Sequence, residues 1–396
     1  MKKLILTLLV LWPMVSYAQN PRLLVSEDQI PTLVERIMAK RDSVKNDGCK
    51  IRKINSHINL EFLGSANAYF IGGKFDETSF KMNMIRLEIY GNVHKHLSYH
   101  FRQAFNKSGT PNSVDNISSS LECANITWKQ SDKFNLIVGK QCLAVAGYEN
   151  WVNGIKVREF SVFNDSYALF QAGITGVVNI TPTQQLNIQV ANNRGNIDGL
   201  RYGLPEGMAA SKVPLLGTVN WTGSFADKSV LLMYSASAGQ LAKGRNMYYL
   251  MCGNIYQKQP FLAYIDVLYA RSAFDIQQRV MAPGISYTAQ NVQYLTLIAN
   301  LDYQFHPKWN AFVKGVYETV GVYEANGAFG KGRYLTQWNA QACLEWFPFT
   351  EDKGFKVFAH YVYKGHTLSS QAKALGAVMP HTQRVSLGIQ YIIPVL

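Results

Sequence analysis

The feature that most constrains this chain is an alternation of apolar and polar residues with a period of two. Leu97, Tyr99 and Phe101, for example, are separated by Ser98 and His100. Successive side chains of a β-strand point to opposite faces of the sheet, so this period is typical of strands with one apolar and one polar face. The pattern recurs along most of the sequence. It predicts an all-β chain.

Sixteen segments carry this period, and sixteen is an even number. They are residues 58–71, 80–93, 96–106, 118–129, 133–140, 167–180, 184–192, 215–226, 229–240, 246–257, 260–271, 291–305, 308–320, 334–347, 354–366 and 382–394. Most reach the ~9 to 11 residues that a tilted strand needs to cross a bilayer. Strands of soluble sheets are usually shorter, at ~5 to 6 residues.

The connections between these segments are alternately short and long. Residues 94–95, 182–183 and 227–228 form short links, whereas residues 107–117 and 141–166 form long ones. Outer-membrane barrels have short periplasmic turns and longer external loops. We therefore predict a transmembrane antiparallel β-barrel of about 16 strands, which forms one indivisible domain over residues 58–396.

The N-terminal part has a different character. Residues 1–18 combine a basic start, an apolar run and small residues near Ala18, which is typical of a cleaved secretory signal. Residues 27–46 have apolar residues at helical spacing, so we predict a partly helical periplasmic segment over residues 19–57. An exported barrel belongs in the outer membrane of a Gram-negative bacterium, in contact with its lipid.

Composition narrows the function. Only 16% of the residues are charged, against about 25% in soluble domains, and the formal net charge is +13. The five cysteines have neither the even number nor the spacing of a disulfide framework or a metal site, so we expect isolated thiols and neither metal nor cofactor. The basic residues form no patch with interleaved aromatics, which argues against nucleic acid as a partner.

The polar phase of each strand predicts which charges face the lumen. The basic candidates are Arg86, Arg102, Lys129, Lys314, Lys356, Lys364 and Arg384, with His100 and His360. The acidic candidates are Glu61, Glu88, Asp266, Asp302, Glu318 and Glu345. The two sets nearly balance, so their arrangement matters more than their sum for an ion in the channel.

Three motifs resemble the phosphate-selective porin O and P family, in particular outer-membrane porins of the Bacteroidetes type. They are LSYHFRQAFN at 97–106, GKQC at 139–142 followed by GYE at 147–149, and QAGI at 171–174. The resemblance implies a 16-stranded barrel, usually a homotrimer, that conducts small solutes and often anions. It also implies that the third external loop folds inward, which makes constriction candidates of Glu149, Lys156, Arg158, Glu159 and Asp165.

Together these observations predict an outer-membrane porin, a water-filled channel for passive diffusion of small hydrophilic solutes with a mild preference for anions, phosphate among them. Sixteen strands leave room for an aqueous channel, whereas barrels of about eight fill their interior with side chains. Two alternatives stay open. One is an adhesin or structural protein, and the other is a barrel enzyme such as a phospholipase, for which no catalytic constellation is recognisable.

Overall fold

The computed structural model describes residues 55–109, 116–193 and 200–396. The predicted signal, the predicted helix at 27–46 and Cys49 lie outside these ranges. The strands are β1 Asn55–Ile71, β2 Lys74–His94, β3 Leu97–Ala104, β4 Leu121–Lys129, β5 Phe134–Cys142, β6 Phe170–Thr181, β7 Gln184–Asn192, β8 Leu215–Phe225, β9 Val230–Ala242, β10 Arg245–Lys258, β11 Phe261–Phe274, β12 Gln290–His306, β13 Trp309–Val322, β14 Gly332–Trp346, β15 Phe355–Leu368 and β16 Thr382–Pro394.

These sixteen strands form a closed antiparallel barrel in which each strand pairs with its sequence neighbours. Closure comes from β1 and β16, whose register runs from Asn59 opposite Pro394 to Ile71 opposite Thr382. The predicted fold class is therefore confirmed. Three short helices, α1 Tyr148–Trp151, α2 Val162–Asp165 and α3 Ser370–Ala374, lie in the loops, together with a 3-10 turn at Gly154–Lys156. No helix of the described residues is long and apolar enough to cross a membrane.

The first hairpin differs from its prediction. β1 begins at Asn55, and β2 begins at Lys74 where the alternation placed its start at 80. The predicted loop at 72–79 is replaced by a two-residue turn in which Gly72 and Gly73 have φ angles of 59° and 80°. Tight hairpins need positive φ, which glycine adopts at little cost. Two adjacent glycines thus allow both strands to continue further than the apolar pattern indicated.

The alternation separates an outer from an inner face, as strand β10 shows. Tyr248 and Leu250 are exposed on the outer wall, whereas Met247, Tyr249 and Met251 point inward and are buried. An outward apolar face is what a lipid environment requires. The inward face of β10 was expected to be polar. It is apolar because protein, and not water, packs against it on this side of the barrel.

Four cysteines fall in the described ranges, namely Cys123, Cys142, Cys252 and Cys343. All four are free thiols. Cys123 and Cys343 are buried, and Cys142 and Cys252 are partly exposed. Within the same ranges, no group of three or more His, Cys, Asp or Glu side chains is arranged to hold a metal ion.

Candidate channel constriction

The loop between β5 and β6, residues 143–169, lies inside the barrel, and we call it the inner loop. Its first part crosses the interior from strand to strand. The backbone N–H of Ala144 donates to Gln189 on β7 at 2.8 Å, and that of Ala146 donates to Ser235 on β9 at 2.8 Å. The N–H of Tyr148 then donates to Asp266 on β11 at 2.7 Å. A segment can reach these strands in turn only from within.

The second part of the inner loop reaches the remaining wall. Arg158 pairs with Glu345 on β14 at 2.6 Å, and Arg384 on β16 donates to Glu159 at 2.7 Å. The N–H of Phe163 donates to Glu318 on β13 at 3.0 Å. Because the loop is tied to the wall on opposite sides, it narrows the lumen in the way that the resemblance implied.

Glu149 holds the inner loop in its folded shape. Its carboxylate accepts from Ser161 Oγ at 2.8 Å, from Asn164 Nδ2 at 2.8 Å and from Lys314 Nζ on β13 at 2.6 Å. The Glu149 and Lys314 side chains are almost completely buried. Ser161 also caps α2 by accepting from the N–H of Asn164. One buried carboxylate thus joins both helices of the loop to the wall.

Aromatic packing fills one side of the interior. Tyr148 of the inner loop stacks on Tyr264 of β11, with ring centroids 4.2 Å apart. Phe163 and Tyr167 pack edge-on against Tyr249 of β10, with centroids 5.9 and 5.0 Å away. Offset-stacked and edge-to-face pairs are favourable arrangements of aromatic rings. This side of the barrel is therefore a packed core, and the open path must lie elsewhere in the interior.

Five charged groups keep contact with water beside the inner loop, and we call them the constriction charges: Lys107, Glu159, Asp165, Lys364 and Arg384. The side chains of Lys107, Lys364 and Arg384 are 45%, 30% and 21% exposed, whereas that of Glu159 is 15% exposed. Glu159 pairs with both Lys364 and Arg384. The cations thus present more surface to solvent than the carboxylate that they neutralise.

The two carboxylates among the constriction charges differ in acidity. Burial alone would raise the pKa of Glu159, but the charges of Lys364 and Arg384 outweigh it and hold the pKa below its ordinary value. Desolvation, and then repulsion from Glu159, raise the pKa of Asp165, while Lys364 and Lys107 act in the opposite direction. These shared influences show that Asp165 lies electrostatically between the Lys107 and Lys364 sides of the interior.

A family model described as phosphate-selective porin O and P matches residues 61–393. The chain belongs to this porin family. Comparison with curated proteins gave no match. The protein is accordingly an outer-membrane porin, and the resemblance noted in its strand motifs is confirmed.

Solved structures share the fold of this porin at low sequence identity. The outer-membrane channel DcaP of Acinetobacter baumannii is 12% identical, with 88% of this chain and 100% of that chain covered and a TM-score of 0.57. Salmonella typhi OmpF in complex with daunomycin is 13% identical, with 85% and 98% covered and a TM-score of 0.54. OmpT, a Vibrio cholerae outer membrane protein, in its trimer form is 11% identical, with 85% and 99% covered and a TM-score of 0.52.

The predicted pore-lining residues of this porin fall into two groups. Some are buried in ion pairs: Arg86 with Glu61 and Glu122, Lys314 with Glu149, and Lys356 with Glu345. Others keep partial exposure: His100, Arg102, Lys364 and Arg384. His360 is buried, and Lys129 is exposed at the end of β4. That these residues line the solute path stays a prediction.

The remaining predicted charges are similarly divided. Asp266, Glu318 and Glu345 are buried, as is Glu88, which accepts from His100 at 2.8 Å, while Asp302 is partly exposed. On the inner loop, Glu149 and Arg158 are buried, Glu159 is partly exposed, and Lys156 and Asp165 are exposed.

Three charged residues escaped the sequence reasoning. Glu122 accepts from Arg86 and also pairs with Lys107, yet it is out of phase with the polar face of its strand. The register shifts between Arg102 and Gln103, which leaves Glu122 at a bulge pointing inward. Lys107 and Arg279 lie in connections, where no period predicts direction. Arg279 reaches back inside to pair with Glu318 at 3.3 Å.

Proposed function

We propose that small anions diffuse through this porin past the constriction charges with a mild preference over cations, and that phosphate is among them. The observation that carries the proposal is the unequal exposure of charge at the constriction. Lys364 and Arg384 share one acid, Glu159, and are both more exposed than it. Arginine favours phosphate and carboxylate because its planar fork can bind two oxygens.

The other basic side chains of the interior contribute less to this preference. Arg86, Arg158 and Lys314 are buried, and each is matched by a carboxylate at close range. Fixed charges act on a passing ion through the field that they project into the open lumen, so a buried neutralised pair has little effect. Selectivity therefore depends on the few cations that water reaches.

Reversal potentials in a KCl gradient across a planar bilayer test this proposal. We expect the wild type to prefer chloride modestly and the double variant Lys364→Gln/Arg384→Gln to lose the preference or to become cation-selective. Lys258→Gln is the matched control, since Lys258 is an exposed residue at the last position of β10. A double variant that keeps the wild-type reversal potential would overturn the role given to these cations.

We further propose that the porin assembles as a homotrimer. The trimer form of Vibrio cholerae OmpT, which shares its fold, supports this. The barrel also has a low side, because β3, β4 and β5 have 8, 9 and 9 residues whereas β12 and β14 have 17 and 15. Native mass spectrometry of the detergent-purified protein is expected to give the mass of three chains, and a monomer at all detergent concentrations would contradict it.

A further inference from the structure

The outer wall carries two arginines that no part of the channel uses. Arg271 on β11 and Arg333 on β14 both lie at the external ends of their strands and are exposed. Elsewhere on the described strands, Arg86, Arg102 and Arg384 point inward, where they pair with acids. In the described part of the chain, neither Arg271 nor Arg333 forms an ion pair with a carboxylate. Two unneutralised guanidinium groups on a lipid-facing wall need an anionic partner.

Strand register places these arginines on one straight row. Arg271 is opposite Gln293 on β12, Gln293 is opposite Gly321 on β13, and Gly321 is opposite Arg333. Tyr248 on β10 continues the row on the other side of Arg271. Three strand spacings separate the arginine backbones, which is about 14 Å. The row therefore crosses five neighbouring strands at one height.

The two guanidinium groups lean toward each other over β13. That of Arg271 lies over the ring of Tyr323, 5.0 Å from its centroid, and its Nε donates to the hydroxyl of Tyr269 at 2.7 Å. On the other side, Arg333 donates from Nη1 to the Tyr317 hydroxyl at 3.5 Å and to Thr336 Oγ1 at 3.3 Å. Tyrosine contacts thus orient both groups before any ligand arrives.

The centre of the row has no side chain to obstruct a ligand. Gly321 stands between Gln293 and Arg333, and a Cβ there would come within 2.8 Å of the carbonyl oxygen of Gly332. Backbone packing thus keeps this position free of a side chain. The result is a gap flanked by two converging forks and by tyrosine hydroxyls, which are donors that suit phosphate oxygens.

The height of the row identifies the source of the phosphate. β11 and β13 continue into the long connections at 275–289 and 323–331, so the row lies where the external loops begin. At this level an outward-facing side chain of an outer-membrane barrel meets the head groups of the outer leaflet. We propose that this outer-wall arginine row binds the phosphate groups of a phosphorylated glycolipid in that leaflet.

Lipid titration followed by native mass spectrometry tests the proposal. Detergent-purified full-length protein would be titrated with lipid A carrying its phosphates and, separately, with the dephosphorylated lipid. We expect each single variant, Arg271→Gln or Arg333→Gln, to weaken binding of the phosphorylated lipid about tenfold, and the double variant to weaken it about a hundredfold. Lys258→Gln, on the same wall at the opposite end, is the matched control and is expected to bind as the wild type does.

Further arms separate the alternatives. Arg271→Lys keeps the charge but not the fork, so we expect an intermediate loss, and heat-modifiable migration on a gel would verify that every variant is folded. Equal binding of the dephosphorylated lipid, or unchanged binding by the double variant, would overturn the proposal. Displacement of the lipid by inorganic phosphate at equal concentration would overturn the lipid assignment. Conductance of the double variant in a neutral-lipid bilayer should equal that of the wild type, which keeps this test independent of channel function.

Discussion

Lys314 and Lys364 both point into the barrel, but only Lys364 keeps substantial contact with water. Lys314 is buried against Glu149 at 2.6 Å, whereas the Lys364 side chain is 30% exposed beside Glu159. Burying two charges is costly unless they pair closely and their remaining hydrogen-bonding groups find partners. The first pair therefore fixes the position of the inner loop, and the second faces the space through which ions are proposed to pass.

At this scale the first prediction concerns Glu149→Gln. The variant would leave Lys314 as an unpaired buried charge, which costs about 3 to 5 kcal/mol. We expect the inner loop to leave the wall, so that single-channel conductance rises and becomes noisier and the denaturation midpoint falls. Asp165→Asn, at an exposed position on the same loop, is the control and should keep the wild-type midpoint. An unchanged conductance and midpoint in Glu149→Gln would contradict the anchoring role.

The second prediction concerns pH. Because the pKa of Asp165 is raised and that of Glu159 is lowered, acidification neutralises Asp165 while Glu159 is still ionised. Loss of that negative charge leaves Lys107 and Lys364 less balanced, so anion preference should increase as pH falls through the raised pKa of Asp165. Reversal potentials measured from neutral to acidic pH should show this step in the wild type and not in Asp165→Asn. Identical profiles for the two proteins would refute it.

The strands could be predicted from sequence, and the path of the inner loop could not. A period of two is a local property, so each of the sixteen segments coincides with a strand, and residues 184–192 and 382–394 match β7 and β16 at both ends. The inner loop instead depends on contacts between distant residues, such as Arg158 with Glu345. Bulges also escape a strict alternation, which is why Glu122 was missed.

A close backbone contact provides a test at the level of the loop. A Cβ at Gly253 on β10 would lie 2.9 Å from the Cα of Gly147, closer than packed atoms allow. We expect Gly253→Ala to push the inner loop away from the wall, which would lower the denaturation midpoint and raise conductance. Gly315→Ala is the control, since a Cβ there meets no atom within 4 Å. Equal behaviour of the two variants would show that the contact does not position the loop.

Across the whole molecule, the interior is divided between a packed side and a charged side. Tyr148, Phe163 and Tyr167 join the inward faces of β10 and β11 into one apolar core, while β15 and β16 present Lys364 and Arg384. The lumen charges nearly balance in sum, as the sequence indicated, but burial removes most of them from the path. Selectivity then follows from which charges water can reach, and the total of +13 does not determine it.

Single-channel recording of the purified wild-type protein in a planar bilayer tests the central claim most directly. In a KCl gradient we expect discrete, ohmic steps whose reversal potential shows a modest preference for chloride, because the cations at the constriction are more exposed than the acids that neutralise them. Insertion of folded protein without conductance steps, or steps with clear cation selectivity, would contradict the account.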